Sequence, residues 1–112
     1  MARLATAALV NALVRRANQQ GGSAMVLARG DDTAGGILFL AYERGRNPRF
    51  FERGLGPRGT PELLSSGPRE LADEEAVTAY WQRRRERDRD LWVLELDIAE
   101  AERFTAETMA LS

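Results

Sequence analysis

The sequence of 112 residues contains no cysteine, no histidine and no lysine, and all 16 of its basic residues are arginine. Without cysteine the chain cannot form disulfides, thiolate nucleophiles or cysteine metal sites. Without histidine it lacks the side chain that titrates near neutral pH and often binds metals. Without lysine it can form neither a Schiff base nor a P-loop lysine contact. Arginine cannot replace these groups, because its pKa stays above about 12.

These absences restrict the possible functions to a short list. Carboxylates, hydroxyls and the fixed charge of arginine are the groups that remain for catalysis. We therefore predict a non-enzymatic protein with no catalytic residues, no cofactor and no metal. The net charge of −1 gives no overall attraction to nucleic acid or membranes, so we expect no membrane binding. The length and the missing cysteines favour one cytoplasmic domain over residues 1–112.

Two stretches have the periodicity of amphipathic helices. The first covers residues 3–20 and should end at the pair Gly21-Gly22. The second begins at Glu74, with Asp73 as the N-cap. Its residues three or four positions apart should form one inward face: Val77, Tyr80, Trp81 and Arg84.

Four stretches have the composition of β-strands, at residues 24–29, 37–43, 49–53 and 91–96. We predict that the first two form a hairpin and that the first three form an antiparallel meander. The last is apolar on both sides, which is typical of a strand covered on both faces and predicts that Trp92 lies in the core.

The order of these elements predicts an α+β fold with a mixed sheet. The order is α-β-β-β-loop-α-β, with the meander and a fourth strand packed against two helices. Residues 54–68 are rich in glycine and proline and should form a loop, in which Leu63-Leu64 adds a stub of strand. Phe104 should anchor the polar C-terminal segment, and we expect the tail from about residue 105 to be weakly ordered.

The glycines of residues 54–59 match the GxGxxG pattern of dinucleotide-binding proteins. That pattern requires a helix to begin directly after the last glycine, so that the pyrophosphate meets the helix N-terminus. Pro57 and Thr60-Pro61 interrupt such a helix. We therefore interpret the segment as a glycine-rich loop.

Arginines cluster at the end of the second predicted helix, where they also complement the helix dipole. Arginine binds phosphate and carboxylate groups through paired N–H donors. We predict an anion-binding or partner-binding surface in which Asp88 or Asp90 orients a guanidinium group. Its arginines are Arg16, Arg83, Arg84 and Arg87.

An alternative interpretation places a divalent metal ion on carboxylates at strand ends and turns, namely Asp32, Glu43 and Glu52. The order of elements is also that of the restriction-endonuclease-like nucleases, which place an aspartate before a Glu-x-Lys pair. Here the third strand offers Glu52-Arg53-Gly54, so the lysine is missing and the spacing differs. The alternative is therefore a metal-dependent or degenerate nuclease-like protein.

The sequence is compatible with more than one kind of partner. A local basic patch is compatible with either a protein or a nucleic acid. The interleaved Glu86, Asp88 and Asp90 would partly neutralise such a patch. An exposed edge strand could also pair two copies of the chain into a homodimer.

Residues 15–24, 29–38 and 79–93 together resemble a family of small bacterial proteins of about this length that is known only as a domain of unknown function. The most specific part of the resemblance is the segment Asp90-Leu91-Trp92-Val93, whereas residues 54–68 depart from it. The similarity extends over nearly the whole chain. It implies a cytoplasmic protein of one domain and supplies no activity, substrate or site residue.

Overall fold

The computed structural model describes residues 4–110, in which five strands form one sheet and three helices pack on its two faces. Across the sheet the strands lie in the order β1-β5-β2-β3-β4. Over this range no helix is long and apolar enough to cross a lipid bilayer. The elements in chain order are α1 (Thr6–Gln19), β1 (Ser23–Ala28), β2 (Ile37–Glu43), β3 (Arg46–Leu55), β4 (Pro61–Ser66), α2 (Glu74–Arg87), β5 (Trp92–Asp97) and α3 (Ala101–Ala110).

The sheet is mixed and contains a three-strand antiparallel meander, which confirms the predicted fold class. The meander consists of β2, β3 and β4, whereas β5 pairs parallel with β2 and antiparallel with β1. The predicted hairpin of the first two strands is wrong, because β5 lies between them. The reason is the apolar composition of β5, which is buried on both faces and therefore belongs inside the sheet.

Alternate residues of β5 supply two separate cores on opposite faces of the sheet. Trp92 and Leu94 pack with α1 and α3, whereas Leu91 and Val93 pack on the side of α2. The side chain of Trp92 is 1% exposed, which confirms its prediction as a core residue. The sheet therefore separates α2 from the other two helices.

Helix α1 begins at Thr6, where the loop between β1 and β2 satisfies its first backbone N–H groups. The N–H of Thr6 donates to Thr33 O at 3.2 Å, and that of Ala7 donates to Asp32 O at 2.9 Å. The predicted start at Arg3 lies outside the described residues. Gly21 ends the helix with a φ of 82°, which confirms the predicted stop.

Helix α2 begins as predicted, because the N–H of Ala76 donates to Asp73 Oδ1 at 2.8 Å. Its inward side also agrees with the prediction. Val77 is buried, and Tyr80 and Trp81 pack half-buried against the same core. Arg84 follows on this side of the helix and reaches β3.

Two elements lie in segments that lack a clear periodic pattern. The predicted loop at 54–68 contains the complete edge strand β4, so the predicted stub at Leu63-Leu64 is part of a longer strand. The glycines at 54–59 lead into this strand and not into a helix. The third helix, α3, was not predicted, although Phe104 anchors it as expected. The weakly ordered tail stays a prediction, and residues 111–112 lie outside the described range.

Candidate functional site

The inward side of α2 carries a hydrogen-bonded network around Arg84. Its guanidinium donates to both carboxylate oxygens of Glu52 on β3, at 2.7 and 2.8 Å. It also donates to the hydroxyls of Ser66 at 3.2 Å and Tyr80 at 3.0 Å. Ser66 lies on β4 and donates to Glu52 at 2.6 Å. The network therefore joins α2 to β3 and to the edge strand β4.

The pKa shifts in this network result from the pairing of Arg84 with Glu52 and do not indicate a reactive group. The hydrogen bonds from Arg84 lower the pKa of Glu52, although burial opposes that shift. The hydrogen bonds that Arg84 donates to Glu52 likewise raise the pKa of Arg84. A carboxylate whose pKa is lowered is a poor general base, so Glu52 is not suited to activate the hydroxyl of Ser66. Arg84 is thus committed to an internal contact.

The end of α2 is fixed to the following loop by Arg85 and Asp88. Arg85 donates to the carbonyl oxygens of Arg89 and of Leu91, the latter at 3.0 Å. Asp88 accepts a hydrogen bond from the N–H of Asp90 through Oδ1 at 3.1 Å. The side chain of Asp88 therefore shapes the turn, and the orienting role of Asp88 or Asp90 stays a prediction. Asp90 contributes through its backbone carbonyl, which accepts a hydrogen bond from Asp31.

Residues 88–92 pack tightly against the loop of residues 29–36, and we call this contact the junction. The N–H of Asp31 donates to Asp90 O at 3.0 Å, and Trp92 Nε1 donates to Asp31 O at 2.8 Å. A Cβ atom at Gly30 or Gly35 would lie only 2.0 or 2.2 Å from Asp90 O. Glycine is therefore required at both positions because two backbone segments meet there.

The outer surface of α2 and of the junction carries arginines that form no hydrogen bond or ion pair with the side chains of the described residues. Arg83, Arg87 and Arg89 are exposed and make no side-chain hydrogen bond or ion pair within residues 4–110. We call these three the junction arginines. Arg29 lies at the same junction, with its Cζ 4.8 Å from the ring centroid of Trp92 and its guanidinium paired with Asp32 at 3.2 Å.

The structure divides the predicted arginine set. Arg83 and Arg87 lie on the outer surface, and Arg84 is bound to Glu52 on the inner side of the same helix. Arg16 belongs to α1, on the opposite face of the sheet, so it does not join the others. Arg89 was not among the predicted residues; its place in the arginine-rich stretch was the available signal.

The positions of the metal alternative do not support a metal site. Asp32 precedes β2 and Glu43 is its last residue, and this strand of seven residues spans roughly 20 Å. Each carboxylate also has its own arginine: Asp32 pairs with Arg29, Glu43 with Arg49, and Glu52 with Arg84. Within the described part of the chain, no three acidic residues are grouped so that they could hold a metal ion.

The fold and the junction define an α+β protein that is built on one mixed sheet and has a charged junction at the end of α2. The chain belongs to the DUF1491 family, described as a protein of unknown function, whose model matches residues 4–106. The family resemblance of the sequence is therefore confirmed. A comparison with curated proteins found no match.

Solved structures of similar proteins share this fold. A crystal structure of a DUF1491 family protein from Caulobacter crescentus CB15 is 30% identical, with a TM-score of 0.75, and the match covers 90% of this chain and 94% of that one. An NMR structure of a DUF1491 family protein from the same organism is also 30% identical, with a TM-score of 0.74 and coverages of 93% and 94%. The solution structure of Atu0922 from A. tumefaciens is 26% identical, with a TM-score of 0.70 and coverages of 88% and 89%.

Proposed function

We propose that the protein is a non-enzymatic binding module that recognises a partner protein through the junction arginines. The observation that carries this proposal is their exposure without a partner in residues 4–110, next to Arg84 and Arg85, which form internal hydrogen bonds. A guanidinium group holds a carboxylate through two parallel N–H donors, and no proton transfer is needed. This guanidinium–carboxylate contact is compatible with the composition of the chain, because it requires none of the histidine, cysteine or lysine that the chain lacks.

The spacing of the arginines indicates which arrangement of carboxylates would fit. Arg83 and Arg87 are four residues apart on α2, which places their Cβ atoms about 5–6 Å apart on one surface. Two glutamates four residues apart on a partner helix have the same spacing. A helix with such a pair could therefore face both arginines at once.

The neighbouring acidic residues favour a protein over a nucleic acid. Glu86, Asp88 and Asp90 are exposed among the junction arginines. A nucleic acid carries closely spaced phosphates, which these carboxylates would repel. A protein surface of mixed charge can pair with both signs, and this complementarity gives specificity.

A binding measurement on the wild type and two variants tests the proposal. The probe is an immobilised helical peptide with two glutamates four residues apart and lysines at flanking positions. The triple variant Arg83→Gln, Arg87→Gln, Arg89→Gln should bind it at least about tenfold more weakly than wild type. The matched control is Arg15→Gln, Arg44→Gln, Arg46→Gln, which removes the same charge at exposed positions away from the junction.

The control should bind the peptide like wild type if the junction arginines are specific. Equal weakening of both variants would indicate a general charge effect and contradict the proposal. Strong retention of wild type on heparin, together with no binding to the peptide, would instead support a polyanion ligand and also contradict it. Thermal unfolding of all three proteins checks that each variant is folded.

A further inference from the structure

A cavity of about 620 Å³ opens on the face of the sheet that carries α1 and α3. It lies between the start of α1 and the end of α3, over the first half of β2. This volume falls within the range of about 300–1,000 Å³ that is usual for small-molecule sites. Of the network around Arg84, Glu52 alone lines it, and none of the three junction arginines does.

The wall of the cavity is mainly apolar. Leu9 and Met109 come from the two helices, and Ile37 forms the floor on β2, with the fully buried Phe39 beneath it. Leu4 lies at the mouth and is 47% exposed. Apolar surface in such a concave site is covered favourably by an apolar ligand, since each buried CH₂ group contributes about 0.8 kcal/mol.

One positive charge lies in the wall of this apolar cavity. Residues alternate in direction along β3, so Arg53 shares the face of Phe51, which belongs to the core under α1 and α3. Arg53 is exposed and forms no ion pair or side-chain hydrogen bond within residues 4–110. Glu52 also lines the cavity, but its carboxylate is bound by Arg84. Its negative charge is therefore already compensated.

We propose that this cavity binds an anionic amphiphile with a single alkyl chain, such as a medium-chain carboxylate. The alkyl chain lies between Leu9 and Met109, above Ile37, and the carboxylate accepts hydrogen bonds from the guanidinium of Arg53. The combination of one unpaired cation with an apolar wall distinguishes this class from neutral lipids and from cationic amphiphiles. The inference is independent of the proposed function, because it uses none of the junction arginines.

Three ligands with the same alkyl chain test the charge preference. Decanoate and decyltrimethylammonium, each below its micelle concentration, and decanol below its solubility limit are titrated into the protein by isothermal calorimetry. We expect decanoate to bind with one site per chain, decanol about tenfold more weakly and decyltrimethylammonium more weakly still. Absence of decanoate binding, or equal affinity for all three ligands, would overturn the proposal.

Two variants and one control then locate the site. Arg53→Gln should weaken decanoate about tenfold and leave decanol unchanged. Ala34→Trp places a large ring at an exposed position in the cavity wall and should weaken both ligands. Arg58→Gln removes an exposed arginine that does not line the cavity, so it should bind decanoate like wild type. Wild-type affinity in both Arg53→Gln and Ala34→Trp would refute the assignment.

Discussion

The two sides of α2 carry arginines with opposite roles. On the inner side, Arg84 binds Glu52, Ser66 and Tyr80, so its donors serve the fold. On the outer side, Arg83 and Arg87 are exposed and have no partner in the described chain. A run of arginines in a sequence is therefore not one surface. The helical period decides which of them hold the protein together and which are available to a ligand.

The largest expected effect comes from disturbing the backbone that supports the junction. Gly30→Ala places a Cβ 2.0 Å from Asp90 O, so one of the two backbone segments must move. We expect a loss of about 3 kcal/mol in the free energy of unfolding, the upper end of the usual cost of overpacking. Urea denaturation measures it. Gly36→Ala is the control, because its Cβ would meet only Leu91 Cδ1 at an ordinary 3.6 Å and should change little.

The next effect compares the two sides of α2 directly. Arg84→Met removes the partner of a half-buried carboxylate and should cost about 2 kcal/mol of unfolding free energy, less than for a fully buried pair. Arg83→Met, one residue earlier on the outer side, should change it by no more than about 0.5 kcal/mol. Urea denaturation of the two variants gives the difference. Equal losses would mean that the division between inner and outer arginines is wrong.

The smallest effect concerns two carboxylates that face α2 from the sheet with opposite pKa shifts. Arg84 lowers the pKa of Glu52, so its stabilising contribution is present above about pH 4.3, the unperturbed pKa of glutamate, and is lost as the pH falls through the folded-state pKa. Burial, with repulsion from Glu74 and Asp97, raises the pKa of Glu95. Ionised Glu95 therefore opposes folding above its raised pKa, and protonation relieves this as the pH falls.

Stability measured against pH separates these two carboxylates. Glu52→Gln should destabilise the protein at pH 7, and its difference from wild type should shrink in acid. Glu95→Gln should stabilise the protein at pH 7 by no more than about 1 kcal/mol, and this gain should also shrink in acid. If Glu95→Gln destabilised the protein at pH 7, the ionised carboxylate would have a favourable contact. That result would contradict the unfavourable effect of burial and of the neighbouring Glu74 and Asp97.

The sequence predicted the parts of the fold that depend on strong local patterns. The Asp73 cap, the inward side of α2 and the buried β5 follow from spacing and composition. The position of β5 between β1 and β2 did not follow, because strand order depends on contacts distant in sequence. Strand β4 was incompletely predicted, since an exposed edge strand with serines and a proline has a weak pattern.

The candidate site was only partly predictable for the same reason. Arginine-rich composition indicated the end of α2, but the partner of Arg84 lies 32 residues away on β3. The junction depends on the close approach of Asp90 O to Gly30 and Gly35, and no sequence pattern predicts that contact. The cavity near Arg53 combines residues from α1, β2, β3 and α3, so only the folded chain brings it together.

The most direct measurement is chemical-shift mapping of the ¹⁵N-labelled protein during titration with the helical peptide that carries two glutamates four residues apart. If the junction arginines bind carboxylates, amide shifts should concentrate at residues 83–92, with smaller changes at 29–32. The shifts should disappear in the triple variant Arg83→Gln, Arg87→Gln, Arg89→Gln. Shifts centred on residues 44–46, or no shifts at saturating peptide, would contradict the account.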